Sequence, residues 1–356
     1  MEAIGVIGMI IAIVALIYLT FKGMNGFVAS LAATVILIVT SGLPFWDTMV
    51  NTYAASMGKI FGSYLFMFCV ASAYSELMKQ SGAAESIANF FFSIFGVKAS
   101  CAATVIISFL LAYSGINAFI IIFAIYPVAV PMFRKANISK NLMPAIFLYG
   151  SVVLNVVTPG SPSMLCIALS EKLGTSTFSA PIMAVIILVL AFAIGIIYFT
   201  WSAKSLRNKG EAFVASESDA ALMGFASVVN ISVGFQYFID FAMTMADKMN
   251  PYLSAVVCIN VFSGVTGASL SGTQIFCSTL MDHFLALGIN KEALYKILSV
   301  ASMGLDTLPH CPTFVMMAAV CGVTTKASYK HVMVMTVITP IVLALIGVVL
   351  ATVGIV

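Results

Sequence analysis

The sequence predicts an all-α polytopic membrane protein made of two inverted repeats with re-entrant hairpins and broken helices. Three observations lead there. Of 356 residues, 62% are hydrophobic and only 8% are charged, too little charge for the surface of a soluble domain. Apolar stretches at 3–20, 26–41, 60–78, 181–201 and 332–353 approach or reach the roughly 20 residues that a membrane-crossing helix needs. Two proline-bearing polar stretches, NVVTPGSPS (155–163) and GLDTLPHCP (304–312), interrupt apolar runs at matching places in the two parts of the chain.

The first apolar stretch carries Glu2 as its only early charge and has no basic segment ahead of it. It reads as a retained span rather than a signal peptide. Basic residues cluster at Arg134, Lys135 and Lys140 and again at Lys204, Arg207 and Lys209. The positive-inside rule puts both loops, 134–140 and 204–209, in the cytoplasm, so an even number of crossings separates them. A broken span over 141–170 and the span from 181 satisfy that count. The long polar segment that follows divides the chain into an N-terminal half (1–201), a cytoplasmic linker (202–220) and a C-terminal half (221–356) that is shorter by roughly two helices. The cysteines lack metal or disulfide spacing and read as small packing residues.

The halves share an ordered set of matches. Ser114-Gly115 pairs with Ser263-Gly264, and Asn155 with Asp306. Pro159, Pro162 and Ser163 pair with Pro309, Pro312 and Thr313. Paired repeats with interrupted helices are the signature of secondary transporters, whose substrate site lies between the halves.

Each break has its own chemistry. In the first, the prolines remove amide donors, so a helix from 141 is expected to stop near Val157 and restart at Pro162. Freed backbone groups with Asn155, Thr158, Gly160, Ser161 and Ser163 are candidates for a ligand cradle; a kink satisfied by neighbouring helices is the plainer alternative. In the second, Asp306, Thr307 and His310 flank an expected break at Leu308–Pro309. Ionisable residues inside a membrane segment are costly and mark function by default. Asp306 suits a proton or Na⁺, and His310 suits a carboxylate contact or titration; a tie across the break is the alternative. Ser114 and Asn117 in one segment, and Ser263, Thr266, Ser269, Ser271 and Thr273 in the other, suit hairpin tips beside the breaks, or close helix packing. His331 reads as interfacial, at the start of the last helix.

No P-loop, HExxH motif or intact GxSxG is present, which leaves no encoded ATP drive, zinc protease or hydrolase elbow. The net charge of +3 forms no basic stripe, so nucleic acid is not an expected partner.

At these residues the chain resembles the GntP family of gluconate-type permeases. The stretch GLDTLPHCPTFVMMAAVCGVTTKASYKHVMVMTVITPI is similar to the family's C-terminal signature, most specifically at Leu305 to His310. INVFSGVTGASLSGTQIF, GFASVVNISVGFQYFIDF and NVVTPGSPSMLCIALSEKLGTSTFSAP resemble further family segments. The resemblance implies proton-coupled uptake of gluconate or another small organic or sugar acid across a bacterial inner membrane. Asp306 and His310 would then be the ion-coupling residues, H⁺ or Na⁺ the coupling ion and lipid the surroundings. It implies no cofactor and no metal, and a homodimer is compatible with it. The chain departs from the family where Cys311-Pro312 replaces Asn-Gly, where SGINAFIIIF carries no carboxylate, and where segments after the linker are missing. Two rivals remain: a membrane-embedded enzyme using Asp306, His310 and a serine or Cys311, and a degenerate homologue that does not transport.

Overall fold

The computed structural model describes residues 2–22, 26–56, 58, 77, 80–82, 86, 89–90, 93–94, 99–209 and 250–356. Among them every regular element is helical, as expected where lipid offers the backbone no hydrogen bonds and each segment must satisfy its own. The expected span at 60–78, the rest of the linker and the family-like segment at 224–241 lie outside the described residues.

Two helices open the chain, α1 (Glu2–Phe21) and α2 (Gly26–Ser41), packed on each other. A short α3 (Phe45–Asp47) runs on into a π-helical turn. Then come α4 (Ser100–Tyr113) and α5 (Ala118–Lys135), which pack as a hairpin. The first broken pair is α6 (Lys140–Val157) and α7 (Met164–Leu173), followed by the long α8 (Pro181–Asn208). After residue 250 come α9 (Pro251–Thr266) and α10 (Ser269–Thr279), a second packed hairpin, and the short α11 (Met281–Ala286). The second broken pair is α12 (Lys291–Ala301) and α13 (Pro312–Val320), and α14 (Thr325–Thr352) closes the described fold.

Burial sorts these helices by role. Three of them, α6, α8 and α14, are long and apolar enough to cross a membrane. In α8, Ile182, Val189, Ile197 and Trp201 are all exposed, an apolar face suited to lipid. By contrast α6 is buried almost all round, and in α12 every residue from Ala293 to Ala301 is buried. α12 owes this to α9, α14, α7 and the end of α6, which pack around it. The interrupted helices are therefore the inner ones, where irregular backbone is tolerated because protein covers it.

Tyr149 locks α6 to α8. Its ring sits where a side chain at Gly195 would stand, and its hydroxyl donates to the Ala191 carbonyl at 2.6 Å. Tyr149→Phe is expected to cost about 1 kcal/mol, read as a lower thermal unfolding midpoint in detergent.

Several expectations need correction. α8 does not stop at 201 but continues to Asn208, so the start of the expected linker is helical. Basic side chains favour a helix's carbonyl end, and Arg207 donates to the Ala136 carbonyl at 2.6 Å. That bond sets the two basic clusters side by side. α14 starts at Thr325 rather than 332, capped by Thr324, whose hydroxyl accepts from the Ala327 amide. His331 lies within that helix and is buried against protein, with Nδ1 3.0 Å from the Tyr198 hydroxyl.

Candidate functional site

The first break forms much as the prolines dictate, with one difference. α6 ends at Val157, and the chain turns at Pro159–Gly160, between extended Thr158 and Ser163, before α7 begins at Met164. Pro162 lies within the break rather than in the first helical turn, because Ser163 takes the N-cap position. Ser161 organises the turn: its hydroxyl accepts from the Ser163 amide at 3.2 Å and donates to Asn155 Oδ1 at 3.3 Å.

The second break is longer than expected. α12 ends at Ala301, well before Pro309, so Asp306 lies inside the break and not ahead of it. The cause is local. The hydroxyls of Ser299 and Ser302 bond back to the carbonyls of Lys296 and Ser299, competing with the helix ladder. Tight turns then follow, from the Met303 and Gly304 amides to Val300 and Ala301. The restart does obey the sequence rule: Pro312 opens α13.

Both hairpin tips turn on glycines with positive φ, Gly115 and Gly267. Pairing Gly115 with Gly264 is thus corrected: Gly264 lies inside α9, and Gly267 is the residue at the tip. Gly264 instead lets the second break approach α9, since a Cβ there would stand 2.9 Å from Leu305 Cβ.

Two tips and two breaks meet around one cavity of about 320 Å³. The expected site residues Asn117, Asn155, Ser163, Ser269, Asp306 and Thr307 all line it. Asp306 is almost fully buried and accepts from the Thr307 hydroxyl at 3.1 Å, and it lines the cavity together with Ser269 at the start of α10. Thr307 also lies 2.8 Å from Thr336 Oγ1, within the π-helical turn of α14. A second π-helical turn, in α6, carries Ser151 to the cavity wall.

The other expected residues support the walls. Ser114, Thr158 and Thr266 donate their hydroxyls to helix carbonyls of Leu110, Leu154 and Phe262. Ser263 and Thr273 are buried at the contact of α9 with α10, while Ser271, half-buried, is absent from the lining. Gly160 turns with positive φ beneath the Phe178 ring. His310 lies outside the lining; its Nε2 is 3.0 Å from the Gly264 carbonyl, which can only accept, so that nitrogen carries the hydrogen and ties the break to α9.

Sequence reasoning gave no site role to Ser151 or Lys296. Half-helix ends at the breaks were expected to meet at the site, and helix starts do converge on the cavity. Asn117 stands just before α5, and Ser163, Ala268 and Cys311 are the N-caps of α7, α10 and α13; all four line the cavity. None of these last three caps its helix with a side chain. Elsewhere, α9, α12 and α14 are capped by the side chains of Asn250, Asn290 and Thr324. Helix starts expose amides and the positive end of the dipole, and such ends favour negative charge.

The family model for GntP family permeases matches residues 4–228. The chain belongs to the GntP permease family. It is also similar to an uncharacterized transporter, YxjC, of Bacillus subtilis (strain 168), at 22% identity over 455 residues, covering 93% of this chain and 96% of the relative. That alignment is longer than the 356-residue chain, so the relative carries segments this chain lacks. No solved structure matches. Membership makes the chain a membrane transporter, and the apolar α6, α8 and α14 agree with it.

Proposed function

We propose that this GntP permease is a secondary active transporter of a small organic anion, gluconate or a related sugar acid, coupled to protons and working in a bacterial inner membrane. The observation that carries the reading is the meeting, on one cavity, of Asp306 with helix starts that lack side-chain caps. The amides at the starts of α5, α7 and α13 would hold the carboxylate, with Asn117, Asn155 and Ser163 beside it. Asp306 would carry the proton, since a buried charge is tolerated only with a partner and its charge must change with what enters the cavity.

The chain path supports two inverted repeats. The end of α5 adjoins the end of α8 through Ala136 and Arg207. The start of α9 adjoins the turn before α12, where the Asn290 amide donates to the Tyr252 hydroxyl at 3.1 Å. The first hairpin would thus re-enter from the side where α6 begins, taken as cytoplasmic from its basic residues, and the second from the side where α12 begins. The shortened second half fits the extra length of the relative.

Uptake of labelled gluconate, lactate and pyruvate into proteoliposomes tests this. An inside-alkaline pH gradient is expected to drive accumulation that a protonophore abolishes. Conversion of substrate without transmembrane movement would favour the enzyme reading instead.

A further inference from the structure

The strongest unexplained group is Lys296. It sits at the middle of α12, fully buried. Its ammonium reaches one acceptor, the Val156 carbonyl at a long 3.5 Å, and lies 6.0 Å from the Tyr295 ring. It makes no ion pair among the described residues, where the ion pair is Lys172 with Asp282. Cys166 on α7 is the ionisable neighbour that faces it. Of the other segments packed on α12, the end of α6 (155–157) and α14 from Thr339 onward carry no ionisable residue.

An ammonium so placed is poorly compensated. The carbonyl end of α6 offers only partial negative charge, while removing an ammonium from water costs several kcal/mol. Yet Val156, whose carbonyl it touches, lines the cavity, as do the adjacent Asn155 and, across the space, Asp306. One peptide therefore separates the amine from the cavity, and charges act strongly over such spans where no water screens them.

We propose that Lys296 is the counter-charge of the anion site: its ammonium, behind the Val156 peptide, selects a carboxylate over a neutral ligand of the same shape. This rests on the reading of the cavity as a carboxylate site and deepens it. A carboxylate bound in the cavity then supplies the negative charge that Lys296 lacks among the described residues.

Thermal unfolding in detergent is read for wild type, Lys296→Met and Lys296→Arg, each with gluconate, lactate and pyruvate and with their amides. In wild type at least one carboxylate is expected to raise the midpoint and its amide not. In Lys296→Met the apparent Kd for that carboxylate is expected to rise about tenfold or more, with the amide response unchanged. The ligand-free midpoint should stay at or above that of wild type, because an apolar side chain replaces a buried charge. Lys296→Arg should keep the carboxylate preference; should Lys296→Met fail to fold, Lys296→Gln carries the same comparison. An undiminished carboxylate preference in the neutral variant overturns the role of Lys296 and leaves the permease reading standing. No response of wild type to any carboxylate overturns both.

Discussion

Asp306→Asn is expected to abolish accumulation driven by a pH gradient while leaving passive exchange of substrate across the membrane. Asparagine matches aspartate in shape and keeps an oxygen to accept from the Thr307 hydroxyl. What it loses is the proton. A gradient of one pH unit is worth about 1.4 kcal/mol per proton, so one-to-one coupling concentrates substrate up to about tenfold. Without a titrating group at 306 that ratio should fall to about one, with labelled substrate still entering vesicles preloaded with unlabelled substrate. A variant that accumulates as wild type does would place coupling elsewhere. One that neither accumulates nor exchanges would mean that residue 306 also builds the site.

The sequence was informative where backbone chemistry alone decides the outcome. Pro159 and Pro309, set in apolar runs just after Asn155 and Asp306, marked both breaks, and Gly115 and the Gly264–Gly267 stretch marked the tips. It was weaker where tertiary packing decides. Ser299, Ser302 and Gly304 end α12 early through hydroxyl and turn bonds, yet in sequence they look like ordinary small residues of a membrane helix. Lys296 was hidden by its surroundings: in INKEALYKIL it follows Lys291 and Glu292 and reads as part of a wetted helix end. Its burial comes from α6, α7, α8, α9 and α14, which close around α12, and only the assembled fold puts them there. The helix ends at the breaks were expected at the site, but the starts at Ala268 and Cys311 carry no typical capping residue to mark them.

Gly272→Ala is expected to destabilise the protein by about 3 kcal/mol, the reverse of the usual sign. Within a helix, alanine normally stabilises by about 1 kcal/mol relative to glycine. At Gly272 the added Cβ would stand 2.5 Å from Ser263 N and 2.6 Å from its Cα. Those are backbone atoms of α9, so no rotamer change relieves the contact and the two helices of the hairpin must part. Gly347→Ala in α14 is the control: its Cβ would touch the Ile297 side chain at 3.4 Å, an ordinary contact, and its unfolding midpoint should match or exceed wild type. The effect should reach the site as well. Gly267, Ala268 and Ser269 form the tip of that hairpin and line the cavity together with Asp306. Parting α9 from α10 moves the tip relative to the second break, so any carboxylate that stabilises wild type should stabilise Gly272→Ala less. An unchanged midpoint with an unchanged ligand response would mean that the close approach of Gly272 to Ser263 does not hold the hairpin.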